Sequence, residues 1–110
     1  MVDPRIQPRS RPRFHVGQII RHLKFGYRGV VYSVDAAFGL DDDWYEQVAT
    51  SRPPKDAPWY HVLVDGSAQT TYVAERHLAP SDDTEQVEHP LLGEVFDSYD
   101  GERYHSRTMH

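Results

Sequence analysis

The chain has 110 residues, of which 38% are hydrophobic and 26% charged, with no cysteine and a formal net charge of -5. That length suits one domain around one core, and the lack of cysteine excludes a disulfide framework, a thiolate metal site and thiol catalysis. No apolar run nears the ~18 residues of a membrane span, and no hydrophobic segment follows a basic start as in a signal peptide, so a soluble, cytoplasmic protein without membrane contact is expected. The charge is unevenly divided: residues 1–28 hold seven Lys/Arg against one acidic residue, and residues 29–110 hold five against sixteen. Only the first part offers an attractive field to phosphate.

In chain order, residues 1–13 mix Pro4, Pro8 and Pro12 with Arg5, Arg9, Arg11 and Arg13, which cannot run as a helix and has nothing to bury, so a disordered basic arm is expected. It reads either as a solubilising leader or as a phosphate-gripping arm. A strand is expected around Gly17 to Lys24 and another around Arg28 to Asp35, joined at Phe25-Gly26-Tyr27, because glycine takes φ > 0 without strain. Asp43 and Glu46 have capping-box spacing, so a short helix follows to about Thr50, with Trp44 and Val48 on one stripe. Pro53, Pro54 and Pro58 end it in an extended connector.

Trp59 to Asp65 alternates with period two and carries apolar groups on both faces, as a strand covered on both sides does. Asp65-Gly66 turns the chain, and Thr70 to Val73 returns as the partner strand. Ala74 to Leu78 reads as one helical turn ended by Pro80, closing a bent sheet into a small five-stranded barrel. Residues 81–88 form an acidic loop. A second short helix is expected from His89-Pro90, with Leu91, Val95 and Tyr99 sharing a face, and residues 105–110 read as a frayed end. The domain therefore spans residues 14–104.

No nucleophile elbow, phosphate-binding glycine loop or Ser/His/Asp frame is present, and the carboxylate runs look like solvated caps and loops, so catalytic residues are not expected. His22, His61, His77 and His89 lack the spacing of a familiar metal motif, and no metal or other cofactor is expected. Arg21, Lys24 and Arg28 around the first hairpin, with Arg13 of the arm, form a candidate phosphate-contacting set, although cations on a strand of alternating facing need not share a surface. Phe25 and Tyr27 at the hairpin corner form a candidate protein contact. The other aromatics, Trp44, Trp59 and Tyr72, suit the core of a small barrel. Glu75 reads as a structural clamp bonding backbone N–H groups.

Arg21-His22, Gly26 to Val31, Trp59 to Asp65, and Tyr72 to Glu75 with Leu78, taken together in that order, resemble the heat-shock protein HspQ family, also called YccV-like or hemimethylated-DNA-binding domains. The likeness covers Phe14 to Leu78; His89-Pro90, Phe96, Gly101 and Tyr104 resemble the closing segment of a subset of that family. It implies a mainly β fold: an SH3-like β-barrel, here with one short helix between the second and third strands and a short C-terminal helix. It also implies a binding module, not an enzyme, whose partners are DNA, hemimethylated DNA in particular, and the Lon protease with its substrates in stress-linked adaptation. The alternative is a pure specificity enhancer of Lon with no physiological DNA binding. His22, Gly26, Gly29, Trp59, Tyr60, His61, Asp65, Tyr72 and Glu75 match the signature and look architectural. The edges of a small open barrel also allow pairing between copies, so a homo-oligomer is a further expectation.

Overall fold

Gly26, at φ +77° with open space where a Cβ would stand, turns the chain between β1 (Ile19–His22) and β2 (Arg28–Asp35). The computed structural model describes residues 6, 10–49 and 51–106; most of the expected basic arm (1–5 and 7–9) and residues 107–110 of the expected tail lie outside that range. Next come α1 (Asp42–Val48), β3 (Trp59–Val64), β4 (Thr70–Ala74), a 3-10 turn (Glu75–His77), β5 (Leu78–Pro80), α2 (Leu92–Val95), β6 (Ser98–Tyr99) and β7 (Tyr104–His105). The first five strands form one antiparallel sheet in the order β4-β3-β2-β1-β5, and β6 pairs with β7.

The chain passes from one edge of this sheet to the other through Glu75–His77 alone. Flat, those edges would stand about 19 Å apart, whereas three residues of 3-10 helix rise only about 6 Å. The sheet therefore curls strongly. Among the described residues no ladder joins β4 to β5, so the fold is a mainly β, five-stranded curled sheet with few short helices.

Curling leaves an inside and an outside. Inside lie Phe14, Ile20, Val31, Tyr60, Val62, Val73 and Leu78. Outside, residues 81–106 lay Val87, Phe96 and Tyr104 over Ile19, Val30 and Leu63, while α1 brings Tyr45 and Ala49 against Phe38, Trp59 and Ala74. β3 is thus covered on both faces, which its apolar alternation anticipates. A register shift between Val31 and Ser33 puts Tyr32 in a bulge, so Val31 and Val34 both reach the inner cluster although three apart in sequence.

Several expectations are corrected. Asp41, not Asp43, caps α1: its Oδ1 accepts from the Trp44 N–H at 2.8 Å, and Glu46 instead pairs with Arg52 at 2.9 Å. The buried stripe is Tyr45 and Ala49, and Val48 is exposed. Pro80 belongs to β5 rather than ending a helix. The second helix spans only Leu92–Val95, because the Asp97 N–H donates to His105 O at 2.8 Å and starts the β6–β7 pair that takes Tyr99. That pairing orders the chain through His105.

Candidate functional site

β3 and β4 form the floor of a groove of about 810 Å³. Along the outer face of β3, α1 covers Trp59 and the C-terminal segment covers Leu63, leaving His61 half-buried between them. Tyr32, on the outer face with Val30, meets the His61 ring at 5.7 Å, and Tyr72 meets it at 4.4 Å. Trp44 closes the α1 end, with its ring 5.6 Å from Tyr72. The floor is rigid because its polar atoms are paired. Asp35 Oδ2 accepts from the Tyr72 hydroxyl at 2.6 Å and faces His61 Nε2 at 3.3 Å, and the Gly39 N–H donates to Tyr72 Oη at 2.8 Å. Burial first, and then the bond to Asp35, hold the Tyr72 phenol above its ordinary pKa.

The hairpin corner forms the opposite wall. The Lys24 and Phe25 N–H groups both donate to His22 Nδ1 at 3.1 Å, so the buried imidazole is neutral with its proton on Nε2. Phe25, 69% exposed, stacks on that ring at 4.7 Å, and His77 stacks with it at 5.9 Å and 6°. Tyr27 Oη and Thr71 Oγ1 lie 2.8 Å apart, tying the corner to β4. Lys24 is within electrostatic reach of both imidazoles, and Arg76 of His77. Lys24 and Arg76, both exposed, therefore flank the histidine stack from different elements.

The family profile described as hemimethylated DNA-binding protein YccV like matches residues 12–103 of this chain. The chain belongs to that family. The YccV-like match takes in the groove, the corner and most of the C-terminal segment, and its signature residues are where the architecture is tightest. Tyr60 Oη donates to Glu75 Oε2 at 2.5 Å, and both oxygens receive the Arg13 N–H, at 3.0 and 2.9 Å. Glu75 is thus a clamp on the start of the domain. A Cβ on Gly29 would stand 2.5 Å from Val62 Cγ1 and 2.6 Å from Leu63 O, so close strand packing requires glycine there.

The expected DNA set separates. Arg21 and Lys24 are exposed, and Arg13 lies over the Phe14 ring at 5.2 Å. Arg28 is turned inward instead: its guanidinium donates to the Asp83, Glu85 and Gln86 carbonyls at 3.0, 2.9 and 3.3 Å and pairs with Asp65 at 3.0 Å. With 15% of the side chain exposed, it clamps the acidic loop and leaves the phosphate-contacting set. Of the protein-contact pair, Phe25 is exposed and Tyr27 is half-buried against the core. Sequence reasoning missed Arg76 and His77, which reach the corner only because the 3-10 turn folds beside β1; the Leu23 N–H donating to His77 O at 2.8 Å marks that approach. Among the described residues no three His, Asp or Glu side chains are grouped to hold a metal, and no helix is long and apolar enough to cross a membrane.

The corner is pH-sensitive. Burial is the main cause that lowers the His22 pKa below its ordinary 6.5, with His77 and Lys24 adding repulsion. The unfolded chain takes up the proton first, so this contribution to stability is whole above about pH 6.5 and declines as pH falls through the depressed folded value. Urea midpoints at about pH 7.5 and about pH 5.5 should drop more for the wild type than for His22→Gln. Equal drops would contradict the assignment.

Proposed function

We propose that this YccV-like protein is a non-catalytic, SH3-like barrel module that binds duplex DNA, hemimethylated DNA in particular, through its hairpin corner. Family membership across residues 12–103 carries the reading. The strand order with a 3-10 turn between the two edge strands supports the barrel. Arg21, Lys24 and Arg76 are the exposed cations beside the corner, and Phe25 supplies an apolar ring next to Lys24, whose ammonium stands 5.4 Å from its centroid. Cations neutralise phosphates, while an apolar group reads a base methyl in the major groove. Three phosphate contacts predict an affinity loss of about 40-fold between about 50 and 200 mM salt. Fluorescence anisotropy with a labelled duplex measures it, and a salt-independent affinity would count against these contacts.

A second reading, adaptation of substrates to the Lon protease, is favoured by the apolar tip that Leu23 (51% exposed) and Phe25 (69%) make on this corner. Purified Lon should degrade a model substrate faster when the protein is added, and an unchanged rate sinks this role.

A further inference from the structure

The unpaired edge of β4 is a second recognition element, independent of the DNA reading. The Val64 N–H donates to Gln69 O and the Glu75 N–H to Pro58 O, which fixes the ladder phase: Gln69, Thr71, Val73 and Glu75 bond inward to β3. The N–H and C=O groups of Thr70, Tyr72 and Ala74 consequently point away from the sheet, and they have no hydrogen-bond partner among the described residues. All of β4 lines the groove. Three donors and three acceptors at a two-residue period are a template for one more extended strand.

We propose that the groove binds an extended peptide segment of a partner protein by strand addition to β4, with apolar side chains alternating with carboxylates. Only another polypeptide matches donors and acceptors together; a phosphate backbone accepts but does not donate, and would leave three carbonyls unpaired. The side chains come from charge and shape. The groove presents Lys24, has no Asp or Glu in its lining among the described residues and is floored by aromatic rings; the Asp35 carboxylate behind it is engaged by Tyr72 and His61. Of the chain's own residues 1–13, Ile6 packs against the cluster of Phe38, Tyr45, Ala49, Trp59 and Ala74, and the Arg-rich sequence around it carries the wrong sign for a carboxylate-bearing strand. A second copy adding its β5 edge is blocked as well. The Ser81 N–H bonds Ile19 O, so Leu78 and Pro80 face outward on β5; the Leu78 N–H is bonded to Glu75 O and proline has none.

The probes are acetylated, amidated heptapeptides with Val, Leu, Phe or Tyr at alternate positions and either glutamate or lysine between them, titrated against the full chain. The glutamate series should bind, slow amide exchange at Thr70, Tyr72 and Ala74, and outbind the lysine series. N-methylating the alternate peptide amides that face β4 should weaken binding at least tenfold. Thr70→Pro, tolerated on an edge strand but lacking one outward donor, should weaken it about fivefold. Overturning results are no binding by any glutamate peptide, affinity indifferent to N-methylation, protection of the three amides in a free protein that sediments as a dimer, or displacement of the peptide by duplex DNA that protects those same amides. The last two would assign the edge to a second copy or to DNA, and neither depends on whether the corner binds DNA.

Discussion

Gly17→Ala should destabilise the fold by about 3 kcal/mol or more, the largest loss expected from adding one methyl group. Two costs combine. Gly17 sits at φ +93°, where an L side chain costs about 1–2 kcal/mol, and its Cβ would stand 1.9 Å from Tyr104 O. That oxygen is backbone, so β7 must move, adding an overpacking cost of about 1–3 kcal/mol. The movement also breaks the Tyr104 N–H bond to Gly17 O at 2.8 Å and lifts Tyr104 from Ile19, Val30 and Leu63. Gly66→Ala isolates the first cost, since φ is +78° there and nothing lies within 4 Å of the added methyl; it should lose only about 1–2 kcal/mol. Urea denaturation of both variants gives the comparison, and equal midpoints would show that the C-terminal segment does not press on Gly17.

Arg28→Gln should cost about 2–4 kcal/mol, because it leaves Asp65 without its cation and three loop carbonyls without their donor in a largely covered site. Asp65 Oδ1 also accepts the Glu88 N–H at 2.8 Å, so both ends of the acidic loop should loosen and residues 82–88 should become the first site of limited proteolysis. DNA affinity and its salt slope should hardly change. Lys24→Glu should do the reverse, with stability kept, affinity reduced and the slope shallower. An Arg28→Gln protein of normal stability with weakened DNA binding would return Arg28 to the contact surface.

Local chemistry made much of this fold readable. Gly26 marks the hairpin, β3 shows its two covered faces through Trp59, Tyr60, Val62 and Leu63, and Glu75 announces a clamp by standing where a strand ends. What the chain hid was long-range or degenerate. Asp41, Asp42 and Asp43 are equally able caps, and the choice among them falls to how Tyr45 and Ala49 dock on Trp59. Arg28 reads as a free strand cation until a loop 55 residues away folds over it. The bulge at Tyr32 breaks period two beyond it, so the inward facing of Val34 could not be read from the strand pattern. Arg76 and His77 join Lys24 only through the curl of the sheet, and the β6–β7 pair offers too few residues to show a strand pattern.

Anisotropy of the full chain with one duplex sequence, prepared hemimethylated and unmethylated and titrated at low salt, tests DNA recognition at the corner most directly. Binding should be detectable to both and several-fold tighter to the hemimethylated form, as burying one methyl contributes about 0.8 kcal/mol. Phe25→Ala should abolish the difference without abolishing binding. No binding to either duplex, or equal affinity for the two, would contradict the proposed role.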